Sequence, residues 1–209
     1  MALFFSKLFK KNNEFITIVS GLPRSGTSMM MKMLEAGGME VVTDGIRKAD
    51  EDNPRGYYEY ERVKKIKEDK TWLPECKGKA VKMVSMLLYD LPKDYKYKII
   101  FMQRDMQEML ASQAKMLERL GKKGSDVSDE EMAEKYEKHL KEIGEWLKRQ
   151  NNIDVLYIRY NNVIEDPAQY SADVNRFLGG FLNEAYMARV VEPNLYRQRS
   201  RVLENKEKY

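Results

Sequence analysis

One cysteine and one histidine, Cys76 and His139, occur in 209 residues. A lone cysteine excludes an internal disulfide framework and any multi-cysteine metal site. A lone histidine excludes a His-rich zinc site and leaves one imidazole for acid–base work. No apolar run approaches the roughly 18 residues that span a bilayer, and no internal repeat or low-complexity tract is present. Strong charge of one sign is missing too: 37 Lys+Arg against 33 Asp+Glu leave +4, with a pI near 8.9. That mild basicity suits a small polyanionic ligand and falls short of the concentrated charge of a nucleic-acid binder. No nucleic-acid partner is expected, and a reducing, cytoplasmic compartment is the default.

What is present reads as globular: 43% hydrophobic and 33% charged residues, in a chain long enough to bury roughly 70% of its unfolded surface. The expected organisation is an N-terminal extension, residues 1–14, and one domain, residues 15–209. The extension is short, basic and apolar, and it lacks a small-residue cleavage site, so it makes a poor signal peptide. A packed terminal helix or frayed tail is the preferred reading of it. A weak membrane-surface helix over residues 1–12 is the alternative. The 14 methionines read as an adaptable core.

Phe15-Ile16-Thr17-Ile18-Val19-Ser20 is a β-branched run that predicts a buried strand, followed by a Gly/Pro turn and a helix over 26–36. A short strand is expected over 39–43, loop over 44–60, helix over 62–70 and core strands over 79–86 and 97–102. A helix follows over 105–120. Ser128 and Glu131 have capping-box spacing and open a long amphipathic helix to about Gln150. His139 falls in that charged helix and reads as exposed. A last core strand covers 153–159; Asp166-Pro167 starts a helix that Gly179-Gly180 ends. Strands alternating with helices predict a single α/β domain, a mostly parallel sheet of four or five strands flanked by helices.

The first strand runs straight into Gly21-Leu22-Pro23-Arg24-Ser25-Gly26-Thr27-Ser28. Strand, Gly-containing loop, helix is the arrangement that turns backbone N–H groups and a helix N-terminus toward an anion. Arg24 adds fixed charge; Ser25, Thr27 and Ser28 add hydroxyls. The plainer alternative is a tight turn with a helix cap. The glycine spacing matches a nucleoside-triphosphate loop, but Thr27 stands where that motif needs lysine. The strand over 97–102 leads into Gln103-Arg104 and offers no magnesium-binding Asp. A P-loop NTPase or small-molecule kinase is therefore the lesser reading.

Pro23-Arg24-Ser25-Gly26-Thr27-Ser28 resembles the first motif of 3′-phosphoadenylyl sulfate (PAPS)-dependent sulfotransferases, Pro-[Lys/Arg]-Ser-Gly-Thr-[Thr/Ser]. The resemblance implies a P-loop NTPase-like sulfotransferase fold and a loop that grips the 5′-phosphosulfate, with Arg24 reaching toward the transferring sulfonate. It implies PAPS as co-substrate, no metal, and adenosine 3′,5′-bisphosphate (PAP) as product. Arg104 with Ser112 eight residues later is similar to the family's 3′-phosphate motif. Tyr160 matches the tyrosine that closes the family's late core strand and contacts the cofactor. Arg197, or Arg199, matches a late basic loop over the 3′-phosphate, at a different spacing. The family's adenine-stacking aromatic after the first motif is replaced by Met29.

Small-molecule members carry a lysine on the second core strand and a histidine base two residues later. Lys82 fills the first position and Val84 the second. Carbohydrate and protein-tyrosine members use glutamate instead, so the base is sought in the 44–60 loop: Glu59 first, Asp44 second. Either carboxylate could instead pair with Arg47, Arg55 or Arg62. Tyr57 and Tyr58 read as acceptor-pocket lining or loop anchors. The resulting expectation is sulfonate transfer from PAPS to a hydroxyl, or less favoured an amine, of a small-molecule or carbohydrate acceptor. Loss of the histidine base keeps a non-catalytic nucleotide-binding module as the rival from another class.

Overall fold

The computed structural model describes residues 14–47, 50, 56–119, 121 and 127–192. The N-terminal extension up to residue 13, Arg55, residues 122–126, and Arg197 and Arg199 lie outside the described residues. In chain order the elements are β1 (Phe15–Gly21), α1 (Thr27–Ala36), β2 (Val41–Val42), β3 (Ala80–Val84), β4 (Lys96–Gln103), α2 (Met106–Arg119), α3 (Asp129–Lys148), β5 (Ile153–Arg159), α4 (Tyr160–Glu165), α5 (Pro167–Leu178) and α6 (Glu184–Arg189). Short 3₁₀ turns cover Glu61–Lys65, Leu73–Cys76 and Ser85–Asp90.

The five strands form one sheet in the order β2-β3-β1-β4-β5, every neighbouring pair parallel. β1 is central and buried from Ile16 to Gly21. That explains its nearly continuous apolar run, since helices or turns cover both faces of a parallel sheet. On one face Val19 and Ile100 meet Met30, Met31, Met33 and Leu34 of α1, with Val174, Leu178 and Met187 beyond them. Met39 and Met102 join the same cluster, so six of the methionines fill one core. On the other face Ile18, Val81, Ile99 and Phe101 pack against Ile143 and Leu147 of α3 and the fully buried Trp72. A smaller cluster of Leu22, Met109, Leu110 and Tyr136 seats α2 against the loop after β1. Ser128 caps α3 as its spacing predicts, its Oγ accepting from the Glu131 N–H at 3.2 Å.

Several local expectations are corrected. The helix over 62–70 is a 3₁₀ turn only, because Asp69 draws the chain into a different turn. It takes the Arg62 guanidinium at 2.7 Å, and its Oδ1 accepts from the Thr71 N–H at 2.9 Å. The strand over 79–86 stops at Val84, and Ser85–Asp90 coils back as 3₁₀. Tyr160 does not close a strand; it opens α4. α6 has no counterpart in the sequence reading. His139 is half-buried rather than exposed: its Nε2 lies 2.9 Å from the buried Ser85 Oγ, and the Tyr89 ring meets it edge-on. No helix among the described residues is long and apolar enough to cross a membrane.

Candidate functional site

The register of the sheet assembles the site. Gly21 pairs with Val84 on one side and Met102 on the other, so β1, β3 and β4 end level. The chain leaves β1 toward one edge of the sheet and later crosses to the other, and the crevice at such a switch point is where open α/β sheets take ligands. A cavity of ≈ 430 Å³ opens there.

The loop after β1 is held by its own groups. Ser25 is buried, and its Oγ donates to the Leu22 carbonyl at 2.7 Å, so this hydroxyl braces the loop from within. Gly26 is left-handed at φ 97°, and a side chain there would collide with the Tyr160 ring. Gly26 offers α1 no side-chain cap, and the first-turn amides of a helix have no intrahelical acceptor. Thr27 and Ser28 line the cavity beside them. Arg24 is left-handed without being glycine, at φ 68°, a conformation that costs about 1–3 kcal/mol and clusters at functional sites.

Arg104 stands next to this loop. Its Nη1 donates to the Arg24 carbonyl at 3.2 Å, its Nε lies 3.3 Å from Glu108 Oε2, and its guanidinium lies 4.7 Å from the Tyr160 ring centroid. Ser112 projects from the second turn of α2 and is buried, as its spacing from Arg104 predicts. Its Oγ accepts from Arg24 Nε at 3.0 Å. Arg24, expected at the sulfonate, is thus turned toward Ser112. Glu108 was missed by sequence reasoning although it lies four residues from Arg104; its carboxylate side chain is 1% exposed.

Lys82 faces the cavity from β3. Its Nζ donates to the Tyr57 carbonyl and, at 3.4 Å, to Ser28 Oγ. Burial, with Arg47, Arg24 and Lys64 adding repulsion against the pull of Glu59, brings the lysine down to about 8. Because the folded value lies below the unfolded one, the cost of charging Lys82 is fully present below about pH 8. It is relieved as pH rises toward the unfolded value of 10.5. Lys82→Met is therefore expected to raise stability near pH 7 by about 2–3 kcal/mol, a gain that shrinks toward pH 10. Thermal melts across that range check it; a destabilised variant at pH 7 contradicts it.

Tyr57 is buried between Asp50, whose carboxylate its hydroxyl meets at 2.7 Å, and Arg47, whose guanidinium lies 3.3 Å from its ring centroid. Burial, with the Asp50 bond, pushes the phenol up to about 12. Glu59 lines the cavity, 2.8 Å from Arg47 Nη1 and 3.6 Å from Lys64 Nζ. Asp44 is exposed outside the cavity lining. Slight desolvation pushes its pKa up, but the Glu61 and Ile46 N–H groups, at 2.6 and 3.0 Å, outweigh it and hold the carboxyl below its ordinary value. It staples the loop that carries Glu59. Tyr58 turns away, its hydroxyl on Glu35 at 2.6 Å. Among the described residues no group of three His, Cys, Asp or Glu could hold a metal ion.

A family model described as a sulfotransferase domain matches residues 16–201. The chain belongs to the sulfotransferase family. No curated protein matches it. The fold of this sulfotransferase-family chain is shared by the sulfotransferase domain from the curacin biosynthetic pathway, at 14% identity over 85% of this chain and 78% of that one, TM-score 0.51. It is shared too by the sulfotransferase domain from the Synechococcus PCC 7002 olefin synthase, at 15% identity over 93% and 86%, TM-score 0.50. Retinol dehydratase in complex with androsterone and inactive cofactor PAP lies further off, at 18% identity and TM-score 0.48. The match covers 87% of this chain and 64% of that one, so the sulfotransferase-family chain spans less than two thirds of its length.

Proposed function

We propose that this chain transfers a sulfonate group from PAPS to a hydroxyl, or an amine, of a small-molecule or carbohydrate acceptor, releasing PAP. One observation carries the reading: the loop after β1 and the arginine after β4 meet at a single cavity, with Arg104 donating to the Arg24 carbonyl. A ligand with two anionic groups fits such a pair of cradles. A magnesium–nucleotide reading gains no support from Thr27 at the lysine position of the loop or from Gln103-Arg104 where an Asp is needed.

The donor, when bound, supplies an activated sulfur–oxygen bond. The α1 amides with Thr27 and Ser28 bind the phosphosulfate. Lys82, protonated, offsets charge on the oxygen that leaves the sulfur, an effect that is large where water is excluded. The acceptor oxygen bonds to sulfur, the bond from sulfur to the phosphate oxygen breaks, and the acceptor proton passes to Glu59. Glu59 takes that role in this reading, with Val84 at the histidine position, and the Arg47 and Lys64 contacts at 2.8 and 3.6 Å support it by holding the carboxylate at the cavity. Tyr60, Val63, Val84 and Leu87 give the cavity an apolar wall, which favours an acceptor with an apolar body.

Glu59→Gln and Lys82→Ala are expected to lower kcat by about 10²–10⁴-fold, with PAP binding kept in Glu59→Gln. Wild-type rates in both, measured over an acceptor panel, would remove this chemistry. The kcat/KM profile is expected to fall as pH rises through about 8, where Lys82 of the free chain loses its proton; a profile flat to pH 9.5 contradicts that role.

A further inference from the structure

The one imidazole of the chain has no part in the chemistry above, yet it reaches the back of the apolar wall. Val84 ends β3, and the next residue, Ser85, is fully buried. A buried hydroxyl needs a partner, and Ser85 Oγ meets His139 Nε2 at 2.9 Å. Four residues on, the Tyr89 ring lies edge-on to His139 at 6.2 Å and to Trp146 at 5.2 Å. His139, Ile143 and Trp146 stand at i, i+4 and i+7 and so share one face of α3. Leu88, also fully buried, packs in the same cluster as Ile143. The Ser85–Asp90 turn is thus fastened to α3.

Its other side is the cavity. Val84 and Leu87 line that space beside Lys82 and Met83, whereas Ser85 and His139 do not. The imidazole is therefore out of reach of an acceptor proton, and what it governs is placement. A 3₁₀ turn is short and its own hydrogen bonds are poorly aligned, so its position depends on what grips it. The grip falls on residue 85, between the two wall residues 84 and 87. Val84 keeps 39% of its surface open, apolar area that the body of a ligand can cover.

We propose that His139 is a positioning residue of the acceptor site: it holds the Ser85–Asp90 turn so that Val84 and Leu87 meet the acceptor's apolar body. The inference rests on the sulfotransferase reading above and concerns the acceptor alone, not the nucleotide.

Steady-state kinetics of the full chain with PAPS and a series of 4-alkylphenols, methyl to butyl, tests it, alongside calorimetric titration with PAP. In the wild type KM is expected to fall about 3–4-fold per added methylene as the wall takes up the chain. His139→Ala is expected to raise KM for the butylphenol about 10-fold, the size of one lost hydrogen bond. It should also flatten the dependence on chain length and leave kcat within about 3-fold. PAP affinity within about 2-fold of wild type certifies the fold of the variant. His139→Gln, whose amide can meet the Ser85 hydroxyl, is expected to bring KM back to within about 3-fold. Ser85→Ala should act as His139→Ala does, and the double variant should add little. An unchanged KM in His139→Ala, equal losses for PAP and the phenols, or a Gln variant no better than the Ala variant overturns the inference and leaves the sulfotransferase reading standing. A wild-type chain that binds PAP but sulfonates none of the phenols, or shows no dependence on chain length, overturns the inference together with the apolar acceptor. A wild-type chain that does not bind PAP overturns both readings.

Discussion

Arg104→Ala is expected to lower PAP affinity at least about 100-fold and to destabilise the fold at the same time. The binding loss follows from removing a guanidinium whose charge-assisted hydrogen bonds are worth about 1.5–3 kcal/mol each. The stability loss has a separate origin. Glu108 has a carboxylate 1% exposed, and Arg104 Nε lies 3.3 Å from it. Deleting Arg104 takes a compensating charge from this buried carboxylate, at a cost of up to about 3–5 kcal/mol, or about 6–20 °C in Tm for a chain of this size. Arg104→Met combined with Glu108→Leu removes both charges and is expected to regain most of the melting temperature without regaining PAP. Recovery of binding in that double variant would mean that Arg104 acts only as a structural partner of Glu108.

Gly21→Ala is expected to cost about 3 kcal/mol or more, at the upper end for overpacking, and to abolish PAP binding with it. At φ 150° a Cβ on Gly21 would stand 2.5 Å from the Met102 carbonyl oxygen and 2.5 Å from Ser25 Oγ. The first of these is backbone of the neighbouring strand and cannot swing away. The second is the hydroxyl that braces the loop on the Leu22 carbonyl. β1 must therefore separate from β4 at the level where the two cradles meet. Gly38→Ala is the comparison: it too has a positive φ, 98°, but nothing lies within 4 Å, so the backbone cost alone remains, about 1 kcal/mol. Similar melting temperatures for the two variants would contradict the packing argument at Gly21.

The parts of the molecule with strong local signals were legible. β5 covers Ile153–Arg159 and α5 starts at Pro167, as their β-branched run and Asp-Pro cap predict. The glycines and hydroxyls of 21–28 gave the strand-loop-helix turn, and the spacing of Arg104 and Ser112 put both at the same cavity as that loop. What was hidden depends on residues distant in sequence. The strand after Lys79 reads locally as continuing through Met86-Leu87-Leu88 as an apolar run, yet it coils at Ser85, whose hydroxyl meets His139 from 54 positions away. Nothing near His139 encodes that contact. Arg47 lies in a polar loop that reads as solvated, and only the folded chain sets it on Tyr57 and Glu59. The direction of the Arg24 side chain was equally hidden, since a motif specifies a residue type and not where it points. Glu108 is the exception. Its opposite charge four residues after Arg104 was readable and marks the brace of the second cradle.

The central claim is that two anion-binding cradles, one after β1 and one after β4, hold a single bisphosphorylated adenosine. Calorimetric titration of the wild-type chain with PAP, and separately with ATP plus magnesium, tests it most directly. One PAP per chain, bound at least about 100-fold more tightly than magnesium–ATP, is the predicted result. Magnesium–ATP binding as tight as PAP, or no PAP binding at millimolar concentration, would contradict it.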